Sequence, residues 1–255
     1  MSNFALSPRL GCFYERNVDL AIPRRAVSEA VGTLLLVFAA SSAGLTTQQL
    51  TPESLLLGRM VVAVAIAGSL VGLIVAFGSA SGGHFNPLIS LTQWLAGERK
   101  LDCALAYVGA QVIGACAGVL IATEVFGAAG HIAVPAVNTA ALLLSEFLDS
   151  VGLMIIVLGC ARSGRRETGP FAVGAWLVAA ITATPSASYA NPALTLGALF
   201  SAGPIRLTEA QAIYYLLAQF AGASVAFLVM TIVYPKAKRN QIRVKSQVTG
   251  FGEGI

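Results

Sequence analysis

Of the 255 residues, 56% are hydrophobic and only 11% are charged, and the formal net charge is +4. Because a soluble domain carries roughly 25% charged residues, this composition excludes an ordinary soluble protein and indicates a chain that lies mostly in a lipid bilayer. The excess Lys and Arg flank the apolar runs, so we expect no nucleic-acid partner.

Six apolar runs are long enough, or nearly so, to cross the hydrocarbon core of a bilayer, which takes about 20 helical residues. They lie at residues 26–45, 57–78, 102–123, 138–160, 168–184 and 210–234. The fifth run is short because Pro170 and Pro185 bracket it. The sequence therefore predicts an all-α membrane protein with six transmembrane helices.

The positive charges predict how these helices are oriented. With both termini in the cytoplasm, 14 of the 16 Lys and Arg residues fall on the cytoplasmic side, where positive charge accumulates in membrane proteins. We therefore expect a multi-pass protein of the cell's inner (plasma) membrane. Residues 1–24 form a cytoplasmic segment, residues 25–235 a single membrane domain, and residues 236–255 a basic cytoplasmic tail.

The two halves of the membrane domain, about 25–123 and 138–235, repeat each other. Each half has a Glu followed four residues later by Thr or Ser, then an Asn-Pro pair, then the string Tyr-x-x-Ala-Gln-x-x-Gly-Ala. The matching residues are Glu29 and Glu146, Asn86 and Asn191, and the strings that begin at Tyr107 and Tyr215. Because each half has three spans, an odd number, the halves form an inverted 3+3 repeat, which places a site at the midplane between them.

The Asn-Pro pairs at Asn86 and Asn191 begin two apolar stretches, 86–96 and 191–200, that are too short to cross a bilayer. Asn is a good N-cap and Pro is favoured at the first helical position, so each pair predicts the start of a re-entrant half-helix. Two such helix starts would direct two positive dipole ends and two side-chain amides at one place. That arrangement can pass a neutral, hydrogen-bonding solute while it repels cations.

These features together resemble the aquaporin and aquaglyceroporin family of membrane channels, the major intrinsic proteins, over roughly residues 25–235. The most specific parts are the run from Ser81 to Pro87 and the second Asn-Pro-Ala at 191–193. The resemblance implies six tilted helices, two re-entrant half-helices, a pore through each subunit and a homotetramer in the lipid bilayer. No nucleophile–base pair, metal-ligand cluster or phosphate loop is evident in the sequence, so we expect no enzymatic activity, no metal site and no cofactor.

The sequence departs from the family pattern at the outer selectivity filter. The second Asn-Pro-Ala is followed by Leu194, where the family usually has an Arg that narrows the filter and supplies a cation. Alignment by offset from the Asn-Pro pairs gives a predicted filter of Ile66, Ala180 (or Ala179), Ser188 and Leu194. A filter without a cation, a His or an aromatic ring should be wider and more apolar than that of a water-only channel.

The remaining pore residues are predicted around the Asn-Pro pairs. We expect Asn86 and Asn191 to donate amide hydrogen bonds to the passing solute. The backbone carbonyls of Gly82, Gly83 and His84 are expected along the inner vestibule, because glycine lets the backbone approach a solute closely. For the His84 side chain, a structural role is favoured over a pH gate.

Glu29 and Glu146 lie inside predicted spans, where a charge is costly and needs partners. A proton relay is one interpretation. The resemblance favours another, in which each buried carboxylate accepts hydrogen bonds from backbone N–H groups of a re-entrant loop that would otherwise stay unsatisfied. Asp149, three residues after Glu146, has no role that the sequence assigns.

The expected function is a passive channel for small uncharged solutes. We expect glycerol-like polyols and neutral metalloid hydroxides such as arsenous acid, with water as a lesser passenger, because the filter lacks Arg. The resemblance supports this, since some bacterial members with an apolar residue at the Arg position are linked to arsenite resistance. The alternatives are a water-selective aquaporin and a non-conducting structural membrane protein with the same fold.

Overall fold

A computed structural model describes residues 12–16, 19–127, 138–163 and 167–234, and the predicted tail at 236–255 lies outside these residues. Within the described ranges the chain is helical and has no β-strand. The helices are α1 (Ile22–Leu50), α2 (Leu55–Ser81), α3 (Pro87–Leu95), α4 (Leu101–Phe126), α5 (Thr139–Ser163), α6 (Gly169–Ala183), α7 (Pro192–Gly197) and α8 (Glu209–Val233). One 3₁₀ turn, Ala198–Phe200, extends α7.

The helices match the predicted spans closely. Five of them, α1, α2, α4, α5 and α8, are 25 to 29 residues long and apolar enough to cross a membrane. The sixth, α6, has only 15 residues, and at 1.5 Å per residue it is about 22 Å long, shorter than the hydrocarbon core. Pro170 lies in its first turn and Pro185 follows its C-cap, so the two prolines that bracket the fifth predicted run also limit the helix.

The contacts between helices follow the sequence repeat. In the first half α1 packs along α4 and contacts α2, and in the second half α5 packs along α8 and contacts α6. The halves meet where α2 contacts α6, where α3 contacts α8 and where α4 contacts α7. This pairing is the one expected for two copies of a three-span unit with inserted half-helices.

Glycines on α4 and α8 allow the longest helix contacts to be close. A methyl group built on Gly114 would overlap the carbonyl oxygen of Ala30 on α1. The equivalent glycine of the second half, Gly222, would overlap the carbonyl oxygen of Phe147 on α5 in the same way. Small residues at these crossings let two backbones touch, which is how helices gain packing energy in lipid.

Apolar side chains cover the outside of the bundle, and a group of polar side chains is buried within its largely apolar interior. Val64, Ile113 and Ile232 are 65%, 69% and 72% exposed, whereas Glu29 and Glu146 are fully buried. An apolar exterior differs from that of a soluble protein, and it suits a bundle whose outer surface meets hydrocarbon.

Candidate functional site

The two half-helices begin at the predicted asparagines. The side-chain oxygen of Asn86 accepts a hydrogen bond from the backbone N–H of Leu88, and that of Asn191 from the N–H of Ala193, each at 3.0 Å. A proline follows each asparagine at the first helical position. Both predicted helix starts are therefore confirmed, with the capping geometry that the sequence indicates.

The two asparagines also join the half-helices. The amide nitrogen of Asn86 donates to the carbonyl of Ala190, and that of Asn191 donates to the carbonyl of Phe85, both at 2.9 Å. This reciprocal pair brings the two helix N-termini together. Because a side-chain amide has two N–H groups, each asparagine keeps a second donor, and both residues line the central cavity.

The carboxylate of Glu29 holds the first re-entrant loop. It accepts hydrogen bonds from the hydroxyl of Ser81 at 2.6 Å, from the backbone N–H groups of His84 and Phe85 at 3.0 and 2.7 Å, and from the Gln111 amide at 2.7 Å. Four donors thus satisfy both oxygens of a carboxylate that is fully buried.

Glu146 holds the second loop in the same way. Its oxygens accept from the backbone N–H groups of Tyr189 and Ala190 at 2.9 and 3.0 Å and from the Gln219 amide at 2.8 Å. Since these backbone groups have no helical partner, the carboxylate supplies the acceptor that they need inside the bundle. The geometry is that of a structural acceptor.

Asp149 supports the loop that precedes α7. Its carboxylate accepts from the hydroxyls of Thr184 at 2.9 Å and Ser186 at 3.4 Å. The Ser186 hydroxyl in turn accepts from the backbone N–H of Ser188 at 3.2 Å. The guanidinium of Arg59 on α2 also donates to this loop, to the Thr184 carbonyl at 3.0 Å. Sequence reasoning left Asp149 unassigned, and the structure makes it a support of the segment that carries Ser188.

A small cavity of about 40 Å³ lies at the junction of the half-helices. This volume exceeds the roughly 10–15 Å³ that a cavity needs to hold one water, so the cavity is large enough for water. Apolar side chains form most of its lining, and the majority of these come from α1, α2, α5 and α6. Polar groups come from the two asparagines, His84, Ser188 and Tyr189.

Three of the four predicted filter residues, Ile66, Ser188 and Leu194, line this cavity together. Ala180 is not among its lining residues. It is buried beside the filter loop, where its carbonyl accepts from the Thr184 hydroxyl at 2.9 Å. From α6 the cavity is lined by Leu177, about one turn before Ala180, and by Val173, about one turn before Leu177.

The run that precedes Asn86 is divided between two environments. His84 lines the central cavity, whereas Gly82 lines a second cavity at the face of the bundle where α1 begins, and Gly83 packs against α2. Both glycines have positive φ angles, 99° and 64°, which glycine adopts without strain. The His84 Nε2 lies 3.0 Å from the carbonyl oxygen of Phe13 and therefore donates, and Nδ1 lies 2.9 Å from the hydroxyl of Ser90. These bonds fix the ring in place.

Comparison with known proteins shows the family to which this fold belongs. The family model described as Major intrinsic protein matches residues 17–186 and 170–255. The chain belongs to the major intrinsic protein family. Members of this family are channels and not enzymes, so this major intrinsic protein is a passive membrane channel for small neutral solutes such as glycerol.

The most similar relatives include channels from several kingdoms. Aquaglyceroporin AqpS of Rhizobium meliloti (strain 1021) is 38% identical over 185 residues, which cover 72% of this chain and 78% of that protein. Aquaporin NIP6-1 of Arabidopsis thaliana is 30% identical over 222 residues, which cover 84% of this chain and 70% of that protein.

A solved structure confirms the predicted fold. The X-ray structure of the aquaglyceroporin from Plasmodium falciparum matches with a TM-score of 0.68 and 18% identity, and the match covers 84% of this chain and 98% of that one. The family and the solved structure together place the chain in the membrane as a multi-pass protein with the fold that its repeat predicts.

Proposed function

We propose that this channel passes glycerol-like polyols and neutral metalloid hydroxides such as arsenous acid, with water as a lesser passenger. The observation that carries the proposal is the position of Leu194. This residue stands where the family usually has Arg, and it lines the central cavity beside Ile66 and Ser188.

The physical reason is the size and charge of the missing side chain. An arginine at this position would fill pore volume and present a rigid fork of charged donors, which water can satisfy but a larger solute fits less well. With Leu194, Ile66 and Leu177, the cavity offers an apolar wall to the carbon side of a polyol. Ser188 and the backbone provide polar contacts for the hydroxyls.

At the midplane, we assign the second amide N–H of Asn86 and of Asn191 to the passing solute. The first N–H of each is bonded to the carbonyl of the opposite loop, and this bond fixes the direction of the second. The positive ends of the two half-helices meet at the same place, so a cation is repelled while a neutral hydroxyl can accept a hydrogen bond.

Solute uptake into proteoliposomes tests this proposal, with a panel of water, glycerol, urea and arsenous acid. Leu194→Arg should lower glycerol and arsenous acid flux several-fold more than water flux, and Leu194→Met is the matched control because it keeps the bulk without the charge. An unchanged ratio of glycerol to water permeability in assembled Leu194→Arg protein would contradict the proposed filter. Water flux without glycerol flux in the wild type would support the water-selective alternative.

We further propose that the face where α1 begins is cytoplasmic, as the distribution of Lys and Arg indicates, and that the protein is a homotetramer in the inner membrane. Cys12 and Cys103 are buried, so protection of these native thiols would not report on sidedness. Lys100→Cys and Glu53→Cys place thiols at exposed positions on opposite faces. An impermeant thiol reagent should label only Glu53→Cys in intact cells, and labelling of only Lys100→Cys would reverse the orientation. Native mass spectrometry checks the tetramer.

A further inference from the structure

Residues 12–16, which precede α1, pack into one mouth of the pore. Cys12 and Phe13 are only 6% and 3% exposed. Phe13 lines the central cavity, and it also lines the second cavity, of about 410 Å³, at the face where α1 begins. Ile74 of α2 is shared by the same two cavities. Phe13 and Ile74 therefore lie between the pore and the larger cavity.

The backbone at Phe13 is held by the first re-entrant loop and by α3. The Phe13 carbonyl accepts from the His84 ring at 3.0 Å and from the Gln93 amide at 2.8 Å. Phe13 itself has a φ angle of 65°, in the left-handed region that a bulky residue rarely adopts. Such a conformation persists only where its surroundings determine it, and here the His84 ring and the Gln93 amide do so.

Charged groups hold the rest of the segment in place. The Glu15 carboxylate forms ion pairs with Arg25 of α1 at 2.7 Å and with Arg99 at 2.9 Å, in the turn before α4. The Tyr14 hydroxyl donates to Glu98 at 2.5 Å. Burial raises the pKa of Tyr14 and the neighbouring Glu98 carboxylate adds to the effect, so Tyr14 keeps its proton and remains a donor.

We propose that residues 12–16 form a removable plug that closes this mouth of the pore, with Phe13 as the side chain that obstructs solute. The anchors of the segment are side-chain hydrogen bonds, ion pairs and one backbone hydrogen bond, from the Arg16 N–H to the Ser79 carbonyl of α2 at 2.9 Å. None of these bonds belongs to the internal ladder of a helix, so the segment can leave without disrupting one. The larger cavity, lined by Tyr14, Val75 and Phe171 among others, gives the Phe13 ring a space to enter when the plug moves. The plug would act on every solute alike, because it lies at the other end of the pore from the proposed filter.

Flux measurements on the full-length protein test the plug. Phe13→Ala should raise both water and glycerol permeability several-fold per assembled channel and leave their ratio unchanged, because the filter is intact. Glu15→Gln should raise both as well, since it removes both ion pairs while Phe13 stays in the chain. Phe220→Ala, on the outer surface of α8, is the matched control and should conduct like the wild type. Wild-type flux in assembled Phe13→Ala and Glu15→Gln proteins would overturn the plug, whereas a changed permeability ratio would point to the filter instead.

Cross-linking tests whether the segment moves. Cys12 and Cys160 both lie against Gly169, where an added methyl group would overlap the Cys12 sulfur and lie 3.4 Å from the Cys160 Cβ. In a Cys103→Ser, Cys116→Ser background, a short cleavable bifunctional thiol reagent should join Cys12 to Cys160 and lower flux, and cleavage by a reductant should restore it. Additional replacement of Cys160 by Ser is the control. Unchanged flux in cross-linked protein, or a Cys12 that never reacts, would overturn a removable plug.

Discussion

The two re-entrant loops are built to the same plan. Ser81 and Ser186 each stand five residues before the asparagine of their loop. The hydroxyl of each accepts from the backbone N–H two residues later, from Gly83 at 3.1 Å and from Ser188 at 3.2 Å. The repeat in the sequence is therefore also a repeat of individual hydrogen bonds.

The agreement extends to the half-helices. The amide of Gln111 on α4 donates to the Ser90 hydroxyl at 3.1 Å, and the amide of Gln219 on α8 donates to the Thr195 hydroxyl at 2.9 Å. Ser90 and Thr195 each lie four residues after the asparagine of their half-helix. In both halves a glutamine thus connects the half-helix to the last long helix of its own repeat.

The loops differ in which of two equivalent positions holds the larger side chain. Three residues after the buried glutamate, the first half has Gly32 and the second has Asp149, and one residue before the asparagine they have Phe85 and Ala190. A methyl group built on Gly32 would overlap the Phe85 ring. The second half has the small Ala190 in place of the ring and Asp149 in place of the glycine, and the Asp149 carboxylate holds the filter loop. One scaffold therefore supports an aromatic packing site in one half and a polar support for the proposed filter in the other.

The largest effect is expected from removing the glutamates that both loops share. Glu29→Ala leaves four donors without their acceptor and Glu146→Ala leaves three, at about 1–3 kcal/mol for each buried unsatisfied group. Both variants should lose most of their folded protein, with Glu29→Ala the less stable. Thermal unfolding followed by size-exclusion chromatography measures this. The Gln variants keep an acceptor oxygen and should lose less, and wild-type stability in Glu29→Ala would show that the carboxylate does not hold the loop.

Next in size is the loss of flux when an asparagine is replaced. Asn86→Leu and Asn191→Leu remove the cross-loop hydrogen bond, the midplane donor and an N-cap, whose loss alone costs about 1 kcal/mol of stability. Both should strongly reduce glycerol flux in proteoliposomes. Asn191→Ser is the matched control, because serine can cap the helix but does not reach the Phe85 carbonyl. Normal flux in folded Asn191→Leu would argue against the paired-amide mechanism.

Copying the large and small side chains of the first half into the second half tests whether these two positions contact each other. Ala190→Phe copies the first loop into the second and should collide with Asp149, at about 1–3 kcal/mol for an overpacked core. Adding Asp149→Gly should recover part of that stability, because it copies Gly32 as well. Thermal unfolding of the two single variants and the double variant gives the coupling free energy between positions 149 and 190. If Asp149→Gly does not recover the stability lost in Ala190→Phe, the two positions are not in contact, and the second loop does not pack in the way that the first one does.

The smallest effect is expected at Tyr189, which occupies the position of His84 in the second loop. Its hydroxyl donates to the Ile205 carbonyl at 2.7 Å. Tyr189→Phe removes this one hydrogen bond and should cost about 1 kcal/mol, seen as a small drop in the unfolding midpoint with flux ratios unchanged. A loss of selectivity in this variant would mean that the hydroxyl also orients Ser188.

Much of this architecture is local and could be predicted from the sequence. The spans are apolar runs, and the half-helices at Asn86 and Asn191 are set by adjacent capping residues, so short-range preferences decide them. Offset counting gave Ile66, Ser188 and Leu194, which line the cavity, and Ala180, whose place in the filter stays a prediction. Leu177 also lines the cavity, and sequence reasoning missed it because it lies within an apolar run with no motif beside it.

What the sequence alone determined is the set of helices, their inverted repeat and the pairing of the asparagines, because each depends on residues that are neighbours in the chain or on an internal copy. Tertiary structure decided the rest. Asp149 gains its role from Thr184, 35 residues away, and Phe13 reaches the pore through His84, 71 residues away. A residue pattern around Asp149 or Phe13 carries no signal for such contacts, since only the packed bundle brings those donors and acceptors within hydrogen-bond distance.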